Sequence, residues 1–217
     1  LETSAAKVFN LNGNTNFKTD DDGVLFNKEG TTLIAYPGGS DVRDEYTVPS
    51  TVTAIEYGAF VGCPIKKLTI GNNVTEELPS WSFNGGVLEE LDVNCPFGSG
   101  TFGQITTLKK VTLGDSITKI PNMAFLNCTG LQTVSIPSGL TKIGTQAFFG
   151  CYSLQNVTLP EFLTEIGYQA FRDCDALTSI TFPDSLEKVG NQAFLITPDK
   201  GCLLYTSPSP RDMRRSR

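Results

Sequence analysis

Short stretches in which apolar and polar residues alternate recur along most of the chain, every 20 to 23 residues. Alternation with a period of two predicts half-buried β-strands, and Pro or Gly ends six of the seven stretches. Because the stretches are short and regularly spaced, we expect them to lie side by side in one parallel sheet. The inward-facing pairs are Tyr46/Val48, Leu68/Ile70, Leu91/Val93, Val111/Leu113, Val134/Ile136, Val157/Leu159 and Ile180/Phe182.

A recurring phenylalanine, usually preceded by Ala, gives the period of the repeat. The last four copies are 23 residues apart, and Ser82 and Thr101 take the Ala position in two earlier ones. One unit of this length cannot bury its apolar face alone, so successive units must stack into a solenoid. The Gln-Ala-Phe segments suit one helical turn, and the Gly residues before them, such as Gly144, permit a tight bend. The phenylalanines are Phe60, Phe83, Phe102, Phe125, Phe148, Phe171 and Phe194.

The run IPSGLTKIGTQAFFGCYSLQNVTLP, residues 136–160, resembles the BspA-like, Treponema-type leucine-rich repeat. The resemblance implies a β-dominated solenoid with a parallel sheet on one face and short strands and helical or 3-10 turns on the other. Residues 22–37 resemble a hairpin insertion common in that family. We therefore divide the chain into a partial upstream repeat (1–21, with Val8-Phe9 as its strand), the hairpin (22–37) and the repeat array (38–200), a fragment of a longer array.

The end of the chain breaks the repeat register. The string CLLYTSPSPRD is identical to one reading frame of a transposon-end sequencing adapter. This predicts that residues 201–217 are adapter read-through and not part of the fold. The alternative is a genuine disordered tail rich in Ser, Pro and Arg.

Composition argues against most kinds of chemistry. The chain has no histidine, which is the commonest general base and metal ligand, and its net charge is −6. An acidic chain without a basic patch does not suit a nucleic-acid backbone. No apolar run approaches 18 residues, so no membrane-spanning helix is expected. We predict no enzyme, cofactor, metal, nucleic-acid partner or direct membrane insertion.

Five cysteines precede the anomalous end of the chain, and an odd number cannot all pair with one another. Four of them follow a Phe by three residues, and the last three of these, Cys128, Cys151 and Cys174, should stack on successive coils. The favoured interpretation is a ladder of buried free thiols. Disulfides between adjacent coils are the alternative, and zinc is weaker because there is neither CxxC nor His. The cysteines are Cys63, Cys95, Cys128, Cys151 and Cys174.

The outward position of each predicted strand carries a hydroxyl, with one Asp among them. This hydroxyl row is interpreted either as a solvated surface of β-favouring residues or as a flat polar surface for a ligand. A neighbouring row alternates in sign, so its members should pair across strands. The hydroxyl row is Thr47, Thr69, Asp92, Thr112, Ser135, Thr158 and Thr181, and the alternating row begins Glu45, Lys67, Glu90 and Lys110.

Two further features have a functional and a structural interpretation. Trp81, the only tryptophan, takes the position of Gln in regular repeats, near Phe97 and Phe102. It is either a binding anchor or a cover over the core where the repeat is shortened. The acidic segment 20–22 is either a weak calcium site or, as favoured, a solvated turn.

These patterns favour a binding module. Resemblance to BspA-like proteins implies the ligand-binding region of a cell-surface or secreted protein that takes part in adhesion or protein–protein interaction. The ligand would be a protein or a glycan. Candidate contact residues are Trp81, Asp92, Thr69, Thr112, Ser135, Thr158 and Thr181. The alternatives are an intracellular scaffold and a repeat module attached to an enzyme domain.

Overall fold

The computed structural model describes residues 8–39 and 43–195, together with the backbone of 204–206. Of the predicted adapter-derived segment, only 204–206 lies inside the described residues. Fifteen short strands and the turns between them make up this part of the chain, which contains no helix. The strands are β1 (Phe17–Thr19), β2 (Leu25–Asn27), β3 (Thr32–Ala35), β4 (Glu45–Thr47), β5 (Ala54–Ile55), β6 (Lys67–Ile70), β7 (Glu90–Val93), β8 (Lys110–Leu113), β9 (Lys119–Ile120), β10 (Thr133–Ser135), β11 (Lys142–Ile143), β12 (Glu165–Ile166), β13 (Ser179–Thr181), β14 (Lys188–Val189) and β15 (Leu204–Thr206).

The alternating stretches form the main sheet, in which β4, β6, β7, β8 and β10 lie in chain order and pair in parallel. The register superposes equivalent residues, as where Leu68, Leu91 and Val111 follow one another. These three side chains are completely buried. The predicted β-dominated solenoid with inward-facing apolar pairs is therefore confirmed.

A second parallel sheet lies on the other side of the core. It consists of β9, β11, β12 and β14, each two residues long. The glycine after β12, Gly167, allows the coils to approach, since an added Cβ would come within 2.6 Å of the backbone carbon of Gly144. A glycine is therefore required here because the coils approach each other closely, whereas the sequence suggested that it permits a tight bend.

The Gln-Ala-Phe segments are turns, so the prediction of a helical turn is wrong. Gln146, Gln169 and Gln192 have φ values of 55°, 54° and 58°, in the left-handed region, which a right-handed helical turn excludes. The cost of this backbone conformation is offset by side-chain hydrogen bonds along the row. Gln146 Nε2 donates to Gln169 Oε1 at 2.8 Å, and Gln169 Nε2 donates to Gln192 Oε1 at 2.7 Å.

The repeating phenylalanines form one continuous stack through the core. In the regular repeats neighbouring ring centroids lie 5.1–5.4 Å apart and the rings are nearly parallel, as between Phe148 and Phe171. Where the spacing shortens to 19 residues, Phe83 and Phe102 tilt by 37°. The shortened section stays packed because the Thr101 hydroxyl donates to the carbonyls of Leu78 and Gly98.

The hairpin at the start of the described chain closes that end of the solenoid. Strands β1, β2 and β3 are antiparallel, and β3 then pairs in parallel with β5. The Tyr36 ring stacks on Phe60 at 5.7 Å, so the hairpin supplies the first member of the aromatic stack. Val8 and Phe9 form no strand, contrary to the prediction, and Val8 is 78% exposed.

The main sheet does not extend through all seven repeats as expected. Beyond β10 a single bridge joins Thr133 to Asn156, and β13 pairs instead with β15. Among the described residues, no backbone hydrogen bond links 156–159 to 179–182. The second sheet and the phenylalanine stack nevertheless hold these two coils together, through β12 and β14 and through Phe171 and Phe194.

Candidate ligand-binding face

The solvent-facing side of the main sheet, with its continuation through 156–159 and 179–182, is called the sheet face here. It displays the whole hydroxyl row in strand order. The pairing places Thr69, Asp92 and Thr112 side by side, with Ser135 next to Thr112. These side chains are half-buried in the middle of the sheet and exposed towards its later edge. The structure therefore brings these candidate residues onto one surface.

The charges of the alternating row on the sheet face are paired with one another, as predicted. Lys67 lies 3.7 Å from Glu45, and Lys110 lies 4.0 Å from Glu90. A parallel set one residue earlier includes Lys109 and Glu89, at 2.7 Å. The later part of the face, from residue 132 onwards, carries uncharged hydroxyl and amide side chains. The earlier strands of the face thus carry charges of both signs in equal number in the alternating row, and the later strands carry no charged side chains.

A cleft of about 720 Å³ opens on the sheet face where the sheet is interrupted. It is lined by 156–159, Glu161 and 179–184, so Thr158 and Thr181 of the hydroxyl row lie on opposite walls. Sequence analysis missed this feature, because it treated the prolines only as strand ends. Proline stands at the same position in three successive repeats (Pro137, Pro160 and Pro183), and the coil of Pro137 is nevertheless paired through β10, so proline alone does not signal the cleft.

Trp81 lies in the turn of its coil, whereas the hydroxyl row lies in the main sheet. Its backbone has a φ of 60°, and its half-buried ring covers two glycines of the next coil. A Cβ on Gly103 would come within 2.7 Å of the ring, and one on Gly100 within 3.1 Å. This packing favours the interpretation of Trp81 as a cover. The nearby Phe97 and Phe102 are buried and unavailable as surface anchors.

The five cysteines of the described chain are unpaired and buried. In the regular repeats each thiol donates to a backbone carbonyl, as Cys151 does to Phe125 at 3.2 Å. Burial raises the pKa of Cys63 and Cys128 to about 12 and raises the pKa of Cys151 as well. Thiols that stay protonated are poor nucleophiles and poor metal ligands. The geometry supports the core-ladder interpretation.

The carboxylates of the acidic turn have internal partners. Asp20 accepts hydrogen bonds from the backbone of Asp22 and Val24 at 3.0 and 2.9 Å and from the Tyr46 hydroxyl at 2.9 Å. Asp22 forms an ion pair with Arg43 at 2.9 Å. In the described ranges no three potential metal-ligating side chains cluster, and no helix could cross a membrane.

Solved structures with this architecture are leucine-rich repeat proteins. One from Eubacterium ventriosum is 29% identical over 84% of this chain and 50% of its own, with a TM-score of 0.73. Another from Bacteroides ovatus is 25% identical over 75% of this chain and 49% of its own, with a TM-score of 0.59. The chain thus spans about half the length of these relatives. No curated protein matches significantly.

A family model described as "BspA type Leucine rich repeat region" matches residues 43–99 and 96–199, in six copies. The matched segments include the main sheet, the second sheet and the phenylalanine stack from Phe60 to Phe194. Together they cover well over half of the chain. The chain belongs to the BspA type leucine-rich repeat family.

Proposed function

We propose that this chain is a non-catalytic binding module, the ligand-binding repeat region of a cell-surface or secreted protein that mediates adhesion or protein–protein interaction. The observation that carries the proposal is the sheet face: an extended polar surface on a rigid stack of coils. Solenoids commonly bind partners along such a surface. The other candidate groups have structural roles: the cysteine thiols are buried, and Asp20 and Asp22 of the acidic turn are bonded to other residues of the chain.

The ligand class that suits this surface is a protein or a glycan. Hydroxyl and amide groups can donate and accept hydrogen bonds, and the balanced ion pairs leave no strong field of one sign. Asp92 is the one charged member of the hydroxyl row, and it lies between Thr69 and Thr112. It is the position at which a reversal of charge should disturb a bound ligand most.

The test compares the chain with variants on arrays of glycans and extracellular-matrix proteins. Asp92→Lys should lower binding by about fivefold or more, as for a charge at the centre of an interface. Lys119→Glu, a charge reversal on the second sheet, is the matched control and should leave binding unchanged. Equal binding by the chain and the Asp92→Lys variant would contradict the proposal for this face.

Trp81→Ala tests the other candidate contact. If Trp81 is a binding anchor, the variant loses binding while the free energy of unfolding falls little. If the ring only covers Gly100 and Gly103, unfolding becomes easier and binding by the folded protein is unchanged. Urea unfolding and array binding of the same preparation separate the two roles.

An intracellular scaffold is the second candidate, and the unpaired thiols favour it. A reducing compartment keeps cysteines free, whereas secreted proteins commonly carry disulfides. Buried thiols are also unreactive, so free cysteines are compatible with a secreted chain as well. A secretion signal in the complete gene would support the surface module, and its absence there would support the scaffold.

A further inference from the structure

The edge of the strand-like segment 156–159 presents unpaired backbone groups to the cleft. In the first repeat the Val48 N–H donates to the carbonyl of Thr69 at 2.9 Å. Leu159 is the residue equivalent to Val48. Among the described residues, neither the Leu159 N–H nor the Val157 N–H has a backbone acceptor. Both residues occupy positions that bond to the following coil elsewhere in the main sheet. Their polar backbone therefore faces the opening.

Proline removes one of the hydrogen bonds that could close the opening. The Gly114 N–H donates to the carbonyl of Val93 at 2.8 Å and helps to close one coil on the next. Pro183 takes the place of Gly114 and has no N–H to donate to Leu159. Pro137 takes the same place in the coil of β10, which still pairs with β8, so the missing N–H does not by itself open the sheet. What the opening offers to a ligand is the N–H groups of Val157 and Leu159, which lack backbone acceptors in the described part of the chain.

We infer that this cleft binds a short extended peptide with basic side chains, which pairs by its backbone with residues 156–159. The inference deepens the proposed function and rests on it, because it assigns a ligand class to part of the sheet face. An extended peptide satisfies an open strand edge through main-chain hydrogen bonds, and its alternate side chains give specificity. Thr158, on the wall formed by 156–159, can accept or donate a further hydrogen bond.

Charge selects a basic peptide over an acidic one. Glu161 and Asp184 line the end of the cleft, and none of the described residues that line it is Lys or Arg. Both side chains belong to exposed residues, so a lysine or arginine of the peptide could reach them while the backbone pairs. A glycan lacks the backbone amides that match a strand edge, which favours a peptide at this point of the face.

The dimensions suit four to five peptide residues. The open edge is about 13 Å long at roughly 3.3 Å per extended residue. The volume of about 720 Å³ lies within the range of about 300–1,000 Å³ typical of ligand sites.

The direct test measures fluorescence polarisation of the full chain with a labelled peptide of sequence KVTVK, capped at both ends. We expect saturable binding that weakens about tenfold or more when the central amides are N-methylated, because two or more backbone hydrogen bonds are lost. The charge-reversed peptide EVTVE should bind no better than the N-methylated one. Equal affinity for all three peptides, or no binding of KVTVK, would overturn the inference.

Variants locate the site. Glu161→Gln combined with Asp184→Asn should weaken KVTVK binding by about threefold to tenfold, the effect of two exposed ion pairs. Asp115→Asn changes the equivalent exposed position of an earlier coil, outside the cleft, and should leave affinity unchanged. Equal loss in both variants would mean attraction by overall charge only, and the inference would fail.

Hydrogen exchange followed by NMR gives a readout independent of charge. Without peptide, the amides of Val157 and Leu159 should exchange much faster than those of Leu91 and Val93, their counterparts in the paired sheet. Saturating KVTVK should slow Val157 and Leu159 selectively. Equal protection of all four amides in the free protein would show a closed sheet and overturn the inference.

These outcomes separate the two proposals. If KVTVK fails while Asp92→Lys still abolishes array binding, the sheet face keeps its proposed function and only the cleft assignment is wrong. If KVTVK binds at the cleft while the arrays show no ligand sensitive to Asp92→Lys, the peptide site is real and the broader proposal for the face is wrong.

Discussion

Removal of one ring from the phenylalanine stack should destabilise the solenoid severely. Phe148 is completely buried, and its ring centroid lies 5.4 Å from that of Phe125 and 5.1 Å from that of Phe171. A buried Phe→Ala change costs about 3–5 kcal/mol, from lost transfer free energy and from the cavity left behind. The stability of a typical domain is about 5–15 kcal/mol, so Phe148→Ala should remove a large fraction of it.

Urea unfolding measures this loss, with far-UV circular dichroism and Trp81 fluorescence as two probes. The matched control is Phe149→Ala, the next residue, which is half-buried and has the Arg172 guanidinium 5.6 Å from its ring centroid. It should cost about 1 kcal/mol, the order of an exposed cation–π contact. A loss below about 1.5 kcal/mol for Phe148→Ala, or equal losses for the two variants, would refute the continuous stack.

Three smaller effects follow from the same structure. Thr101→Val should cost about 1 kcal/mol in urea unfolding, because buried carbonyls lose a hydroxyl donor; an unchanged midpoint would contradict this. Hydrogen bonds from Lys142 and Lys188 lower the pKa of Glu165. The resulting stabilisation is present above the ordinary carboxyl pKa and lost as pH falls through the folded pKa. At about pH 7 the free energy of unfolding of the wild type should exceed that of Glu165→Gln by at most about 1 kcal/mol. This difference should shrink as the pH falls to about 3, and a difference that increases with acid would contradict the prediction. Finally, a thiol reagent should leave the five buried cysteines unmodified in the native protein and modify all five, in addition to Cys202, after unfolding without reductant; fewer would indicate disulfides.

The repeat itself was predictable from sequence because the fold is local and periodic. Each inward-facing residue packs against the equivalent residue of the next coil, as Leu91 does against Val111. Once the register of one repeat is known, the core positions of the others follow. The phenylalanine stack, the paired charges at Glu45 and Lys67, and the buried cysteine ladder follow from the same rule. The prediction of a helical turn failed because the backbone at Gln146 has a positive φ, which the helix propensity of the segment does not indicate. The segment forms a tight turn instead.

The position of the candidate sites depended on contacts that no single repeat specifies. Trp81 took its place over Gly100 and Gly103 because a shortened repeat brings two glycines of the next coil beneath it. The hairpin strand β3 closes one end of the solenoid by pairing with β5, which lies about twenty residues later in the chain.

The solenoid, its period, its core and the row of hydroxyls on the sheet face could all be predicted from the sequence, since each of them repeats with the period. The separation of the main sheet between 156–159 and 179–182 could be seen only in the three-dimensional arrangement of the coils. Pairing between two coils depends on both of them at once, and Leu159 donates no backbone hydrogen bond to the described residues of the next coil. An interruption of this kind is a property of the contact between coils, and it is invisible in either repeat alone.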